Sequence, residues 1–346
     1  MKTYTLKIVD IKVETFDTVT LRFKQPSLRK IKYTAGQYLT LIFRINGRRY
    51  LRPYSFSSSP SIDSTLDVTV KRVHNGIVSN HIHDQVKLGD AIEVLEPMGD
   101  FGSCGLSKNE VFLWGVGSGI TPLVSIAKEV LSQDNNIKIH LIYGNRDVEQ
   151  TIFLELIQSL ELEYKQRFKV FYFYTKLSVE PNLPFWVQGR ISEEAIVEIM
   201  NGKQVSEASH LICGPLGLKE SLFNTLLGLG FSRDTIFSED FELIKDPKDF
   251  VDIFTQNVTI HFDERATELE VIKGKSILES ALDAGIDLPY SCQTGNCSTC
   301  KAQVLQGAVK IIGIEKDRTD LEENETLLCC SHPTSDNVIV KIKEVE

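Results

Sequence analysis

Cys292-Gln293-Thr294-Gly295-Asn296-Cys297-Ser298-Thr299-Cys300 is the stretch on which the reading of this chain turns. Its cysteines have the spacing C-x4-C-x2-C, and Cys330, preceded directly by Cys329, follows after 29 further residues. Three thiolates from one tight loop and one from a distant strand can place four soft sulfurs around two irons, and this is the ligand spacing of a [2Fe–2S] centre. The intervening residues are small or polar, so the loop can fold closely and aim backbone N–H groups at the sulfurs. Structural zinc is the other use of four cysteines. Zinc sites usually pair one C-x2-C with another, and this chain has a single such pair. Only one of Cys329 and Cys330 is needed, and both are candidates.

Around this loop the chain changes character. Residues 256–346 hold nine Lys and Arg against sixteen Asp and Glu, so this quarter carries seven of the nine net negative charges. An acidic end on a near-neutral body points to a separate module with its own surface partner. Within it NVTIHF and ELEVIK read as a hairpin, SILESALDAG as a helix and NVIVKIK as a closing strand. The preceding stretch, 243–255, is polar at its start, has one proline and no period, and reads as a linker.

Upstream, residues 106–242 alternate strands with helices. EVFLWG leads through a glycine-rich turn into TPLVSIAKEVLS, and IKIHLIYG precedes a helix expected at about 148–160. FKVFYFYT, SEEAIVEIM, HLICG and LGLKESLFNTLLGLG continue the alternation. Repeated βα units imply a parallel sheet covered on both faces. Residues 1–105 instead read as short strands (TLKIVDIKVE, TVTLRFKQ, QYLTLIFRI, YLRPYSFSS, LDVTVKRV, AIEVLEP) with one helix near 79–86, the pattern of a small antiparallel barrel.

With 346 residues, 42% of them hydrophobic and 25% charged, the chain has the composition of a globular protein of two or three domains. No apolar run approaches a membrane span, and the N-terminus alternates like a strand rather than a signal peptide, so a cytoplasmic location is expected. Five of the seven cysteines lie between 292 and 330, which in such a compartment favours metal over disulfides. Cys104 reads as an ordinary core or loop residue. No basic stripe suits nucleic acid. No Ser/His/Asp set or H-E-x-x-H suits a hydrolase, and His81 and His83 lack a metal-ligand pattern.

Gly115-Val116-Gly117-Ser118-Gly119-Ile120-Thr121-Pro122 follows a strand and opens a helix, where small residues let the backbone approach a pyrophosphate. Ile120 stands where G-x-G-x-x-G needs its last glycine. The acid expected after the next strand is also missing, for Asn145-Arg146 stands there. Arg52-Pro53-Tyr54-Ser55, Val70-Lys71-Arg72 and Gly76-Ile77-Val78-Ser79 form a further set in the barrel region, the last entering a helix.

In this order the motifs resemble those of the ferredoxin–NADP reductase superfamily with a plant-type ferredoxin domain fused at the C-terminus. The arrangement is similar to the reductases of phenylacetyl-CoA epoxidases and ketosteroid hydroxylases. The resemblance spans essentially the whole chain. It implies an antiparallel β-barrel flavin domain (1–105), an α/β parallel-sheet NAD(P)H domain (106–242) and, after the linker, a β-grasp-like [2Fe–2S] domain (256–346). It implies FAD rather than FMN, with Arg52 at a flavin phosphate, Tyr54 against the isoalloxazine and Ser55 near its N5. Val70, Lys71 and Arg72 then lie along the cofactor, and Val78 and Ser79 at its pyrophosphate. Gly115, Gly117, Ser118, Gly119 and Thr121 receive the nicotinamide nucleotide, with Asn145 and Arg146 at its adenosine end. Cys213-Gly214-Pro215 matches the family's C-G-P turn, and Glu239 its E-x-F segment near the reacting rings. The resemblance selects Cys330 as the fourth ligand.

The activity implied is electron transfer from NADPH or NADH through flavin to the cluster and on to an oxygenase or hydroxylase, the epoxidase type being favoured over a steroid or aromatic hydroxylase or a desaturase. A regulatory module that only binds nucleotide and metal is the alternative, and it would lack bands that bleach with NAD(P)H. Arg146 leans the coenzyme choice toward NADPH, since a guanidinium suits a 2′-phosphate. Asp317, Asp320, Glu322, Glu323 and Glu325 form an acidic run that could steer a basic partner.

Overall fold

The computed structural model describes residues 2–27, 30–103, 106, 108–133, 136–176, 185–314 and 318–342. Cys104, Gly105 and Asp317 lie outside them.

The chain begins with strands β1 (Thr3–Thr15), β2 (Thr18–Lys24), β3 (Tyr38–Ile45), β4 (Arg48–Ser55) and β5 (Thr65–Lys71), helix α1 (Ile77–Gln85) and β6 (Ala91–Leu95). There follow β7 (Glu110–Val116), α2 (Ile120–Ser132), β8 (Lys138–Asn145), α3 (Leu154–Glu163), β9 (Phe168–Tyr174) and β10 (Trp186–Gln188). Next come α4 (Glu193–Met200), β11 (Ala208–Cys213), α5 (Leu216–Gly228) and β12 (Ile236–Glu239). The last part holds β13 (Gln256–Phe262), β14 (Arg265–Val271), α6 (Ile277–Asp283), β15 (Lys301–Gln306), β16 (Val309–Ile311), β17 (Glu325–Leu327), β18 (Ser331–Pro333) and β19 (Val338–Ile342).

Two compact units result. The larger comprises Thr3–Leu39 and Tyr54–Asp240. Its first sheet runs β6-β1-β2-β5, all antiparallel neighbours, as the alternating pattern requires. Its second sheet has the order β10-β9-β8-β7-β11-β12, all parallel. The chain runs outward from β7 through β8 to β10, then returns to place β11 and β12 on the other side. The strand order therefore reverses between β7 and β11, the place where open α/β sheets bind ligands in a crevice beyond the carboxyl ends of their strands. Apolar residues cover both faces: Val111, Leu113, Leu123 and Ile126 lie in one core, and Phe112, Trp114, Ile212 and Leu222 in the other. Helix α3 begins at Leu154, later than the pattern suggests. The Asp147 carboxylate accepts the Gln150 N–H at 3.0 Å and holds a turn there, and Phe153 takes a left-handed φ of 62° just before the helix.

The smaller unit comprises Met1–Lys2, Thr40–Pro53 and Phe241–Glu346. Its main sheet has the order β14-β13-β19-β15-β17. The expected hairpin is present as β13–β14, its turn made by Asp263 and Glu264 at positive φ. Helix α6 starts on a capping box, Ser276 accepting the Glu279 N–H while Glu279 accepts the Ser276 N–H. The 243–255 segment is packed rather than loose, because Phe250 and Ile253 form a small core with Ile312.

Candidate functional site

The cysteine loop, 292–300, lies between α6 and β15. The N–H groups of Thr294 and Cys297 donate to the Cys292 sulfur at 3.4 and 3.3 Å, and the Cys292 N–H donates to the Cys297 sulfur at 3.3 Å. Gln293 and Gly295 take positive φ, which curls the loop so that these groups point inward. The donors are soft sulfurs, and two of them are already met by backbone N–H groups, so the residues fit a [2Fe–2S] cluster.

Folding brings the Cys329–Cys330 pair to this loop. Both cysteines are buried. The Cys330 sulfur meets the Cys329 sulfur at 3.3 Å and lies against Gly295. A tight turn holds the pair there, in which the Cys330 N–H donates to Leu327 O and the Leu328 N–H to Cys300 O. The Cys330 sulfur thus lies against the loop, at Gly295.

Within the same unit, β3 and β4 turn at Asn46-Gly47, both at positive φ. The Leu51 N–H donates to the Tyr290 hydroxyl at 3.0 Å, and Thr40 and Ser291 share a hydroxyl hydrogen bond of 2.7 Å. This segment thus braces the entry to the cysteine loop. Arg52 donates to Leu51 O at 2.8 Å.

In the larger unit, Tyr54 is half-buried and Ser55 buried at the end of β4. Val70 is buried in β5. Lys71 pairs with Asp17 at 3.4 Å, and Arg72 donates to both Asp84 oxygens and to Asn80. Val78 and Ser79 are buried at the start of α1. The Ser79 hydroxyl accepts the Val73 N–H at 3.1 Å, so it closes its own loop.

Three helices begin without a side-chain cap and without an acid in the first turn: α1, α2 and α5. By contrast α4 and α6 are capped by serines and carry first-turn glutamates. Uncapped N-termini leave backbone N–H groups for an anion. These three helices follow the Gly76, Gly119 and Cys213-Gly214-Pro215 motifs, so the chain fits two dinucleotides with phosphates at helix starts.

The strand register gathers the second set. Cys213 is level with Gly115 on one side and Glu239 on the other, and Gly115 is level with Tyr143. All four sit at the carboxyl edge beside the reversal point. The Tyr143 hydroxyl donates to Gly117 O at 3.1 Å and the Thr121 hydroxyl to Ser118 O at 2.8 Å, fixing the glycine turn. A Cβ on Gly119 would lie 2.0 Å from Cys213 O, so only glycine lets the two turns approach. Around Gly117 the space is open. Burial, and then Glu239 and Asp240, push the Cys213 thiol well up, so it stays protonated. Buried Lys219 pairs with Asp240 at 2.5 Å beside it, a brace that no motif announces. Asn145 is buried at the end of β8 and Arg146 follows it exposed.

The acidic run is less open than its sequence suggests. Glu325 is buried and pairs with Lys301 at 2.9 Å, and Asp320 pairs with Arg318. Glu322 and Glu323 are exposed. Among the described residues no helix is long and apolar enough to cross a membrane.

Family models match three successive parts: an oxidoreductase FAD-binding domain over residues 5–102, an oxidoreductase NAD-binding domain over 113–222 and a 2Fe-2S iron-sulfur cluster binding domain over 260–334. The chain is 33% identical to the ferredoxin reductase component of 3-ketosteroid-9-alpha-monooxygenase from Rhodococcus rhodochrous, over 95% of this chain and 93% of that one. It is 30% identical to a 1,2-phenylacetyl-CoA epoxidase subunit from Escherichia coli (strain K12), over 97% of each. Phthalate dioxygenase reductase shares the fold, with a TM-score of 0.68 at 22% identity over 98% of each chain. With three modules in this order and relatives matching from end to end, the chain belongs to the flavin- and iron–sulfur-containing reductase components of oxygenase systems, which carry electrons from NAD(P)H through FAD to a [2Fe–2S] cluster.

Proposed function

We propose that Cys292, Cys297, Cys300 and Cys330 hold the cluster. The observation that carries this reading is the buried Cys330 sulfur against Gly295, within the loop whose backbone N–H groups already meet the Cys292 and Cys297 sulfurs. The proposed flavin module is 1–105, with Arg52, Tyr54, Ser55, Val70, Lys71, Arg72, Val78 and Ser79 around FAD. The proposed nucleotide module is 106–242, and the cluster module is 256–346. Gly115, Gly117, Ser118, Gly119, Thr121, Asn145, Arg146, Gly214 and Pro215 are assigned to the coenzyme, and Cys213 and Glu239 to its reacting end.

Flavin exchanges a hydride, two electrons at once, for single electrons that a cluster can accept. This chain's residues supply position and exclusion. The open starts of α2 and α5 offer N–H groups to phosphates, and Gly117 leaves room for their close approach. Thr121 and Tyr143 hold the turn rigid by their hydroxyl bonds. The protonated Cys213 packs an uncharged edge beside the reversal point, while Lys219 balances Asp240 next to it.

The proposed electron acceptor is the oxygenase component of a phenylacetyl-CoA epoxidase type of system, with a ketosteroid hydroxylase as the second reading. Full-length relatives of both kinds support an acceptor of this class. The coenzyme proposed is NADPH, on the strength of Arg146. Anaerobic NADPH addition to the purified protein should bleach the flavin band and then the cluster band. Product formation with one of the two oxygenase types, and not the other, should identify the acceptor. A colourless protein, or one reduced by neither coenzyme, would overturn the reading.

A further inference from the structure

Arg318 is polar, charged and largely enclosed, its side chain 14% exposed, yet no motif accounts for it. Its Nε and Nη2 donate to the two oxygens of Asp320, each at 2.7 Å. Nη2 also donates to the Ser298 hydroxyl at 2.6 Å, and Nη1 donates to the carbonyl of Gly295. Ser298 in turn donates to Asp320 at 3.2 Å. The guanidinium therefore grips the cysteine loop twice, between Cys292 and Cys297 and between Cys297 and Cys300. Arginine suits this task because its planar fork keeps several donors in fixed directions and it stays charged.

We propose that Arg318 is a positioning residue of the iron–sulfur centre: it turns the Gly295 carbonyl away from the sulfurs and places a fixed positive charge beside Cys292 and Cys297, raising the reduction potential of the cluster. The inference rests on the assignment of those cysteines as ligands. Two consequences support it. Turning Gly295 O outward leaves the flanking N–H groups of Thr294 and Cys297 facing the Cys292 sulfur. The charge also interacts favourably with Cys292 and Cys297, after its dominant partner Asp320. Donors and positive charge near the sulfurs both favour the reduced, more negative cluster.

The test is an EPR-monitored redox titration of the cluster in the full-length protein, with the flavin midpoint in the same sample as internal reference. Arg318→Gln should lower the cluster midpoint by enough to shift its one-electron equilibrium at least tenfold, about 59 mV. Arg318→Lys, which keeps the charge but not the fork, should stay nearer the wild type. Asp320→Asn removes the opposing charge and should move the midpoint the other way. Opposite shifts in the Gln and Asn variants, with the flavin unchanged, establish the role. If Arg318→Gln holds no cluster, an upward shift in Asp320→Asn still supports the proposal, and an unmoved or lowered midpoint overturns it. A wild-type protein without iron or a cluster signal would instead overturn the ligand assignment itself.

Discussion

Replacing Gly119 with alanine adds a single methyl group at the point where the glycine turn meets the C-G-P turn. That methyl would stand 2.0 Å from Cys213 O and 2.6 Å from its carbonyl carbon. The obstructing atoms are backbone, in a strand paired on both sides at that residue, so no rotamer can relieve the clash. Normal contact requires the turns to separate by roughly 1 Å, and a misplacement of that size can slow a positioned reaction about 100-fold. Overpacking of this kind also destabilises by about 1–3 kcal/mol. Two neighbours serve as controls. A methyl on Gly115 meets the Leu123 Cδ1 end at 2.9 Å, which can swing aside. One on Gly117 meets nothing within 4 Å, though its φ of 56° is left-handed and costs a side chain about 1–2 kcal/mol. Stopped-flow bleaching of the flavin by NADPH, with thermal unfolding in parallel, should therefore show Gly119→Ala slow at saturating coenzyme. Gly115→Ala should stay near the wild type, and Gly117→Ala should fold but bind coenzyme weakly. Flavin reduction in Gly119→Ala within threefold of the wild-type rate, with unchanged unfolding, would refute the close-approach argument.

Cys330→Ser should abolish the cluster absorbance and iron content while NADPH still reduces the flavin, whereas Cys329→Ser should retain both; exchanged phenotypes would move the ligand role to Cys329. His140 is buried against Phe112, and its pKa falls from 6.5 to about 4 through burial and then Lys203. The unfolded chain thus binds the extra proton first, so this stability is whole above pH 6.5 and lost toward pH 4, by at most about 3 kcal/mol. Unfolding temperatures of His140→Gln should vary less with pH in that window, and an unchanged slope would remove His140 as the cause. Arg146→Ala should lower kcat/KM for NADPH by about tenfold, the worth of one charged hydrogen-bonded pair, with NADH little affected; equal and unaltered use of the two coenzymes would exclude a phosphate contact there.

What the sequence alone determined about this protein is whatever depends on neighbours in the chain. Alternating residues in β1, β2 and β5 declare antiparallel strands, and buried runs such as FLWG and LIYG declare strands covered on both faces. The C-x4-C-x2-C spacing and the glycine turn carry their chemistry over short intervals, so both were legible. Tertiary structure decided what depends on residues distant in the chain. Spacing leaves Cys329 beside Cys330, because adjacent residues differ only in direction; the turn from Leu327 to Cys330 sets that direction and lays the Cys330 sulfur against Gly295. Charge counting could not show that Glu325 is buried on Lys301, since burial follows from the pairing of β15 with β17. Nor could any pattern show that Thr40–Pro53 belongs with the cysteine loop, for its bonds to Tyr290 and Ser291 span some 240 residues. Arg318 reads as one more surface charge until folding brings it over Gly295 and Ser298, because contacts across that distance are made by packing and leave no local period.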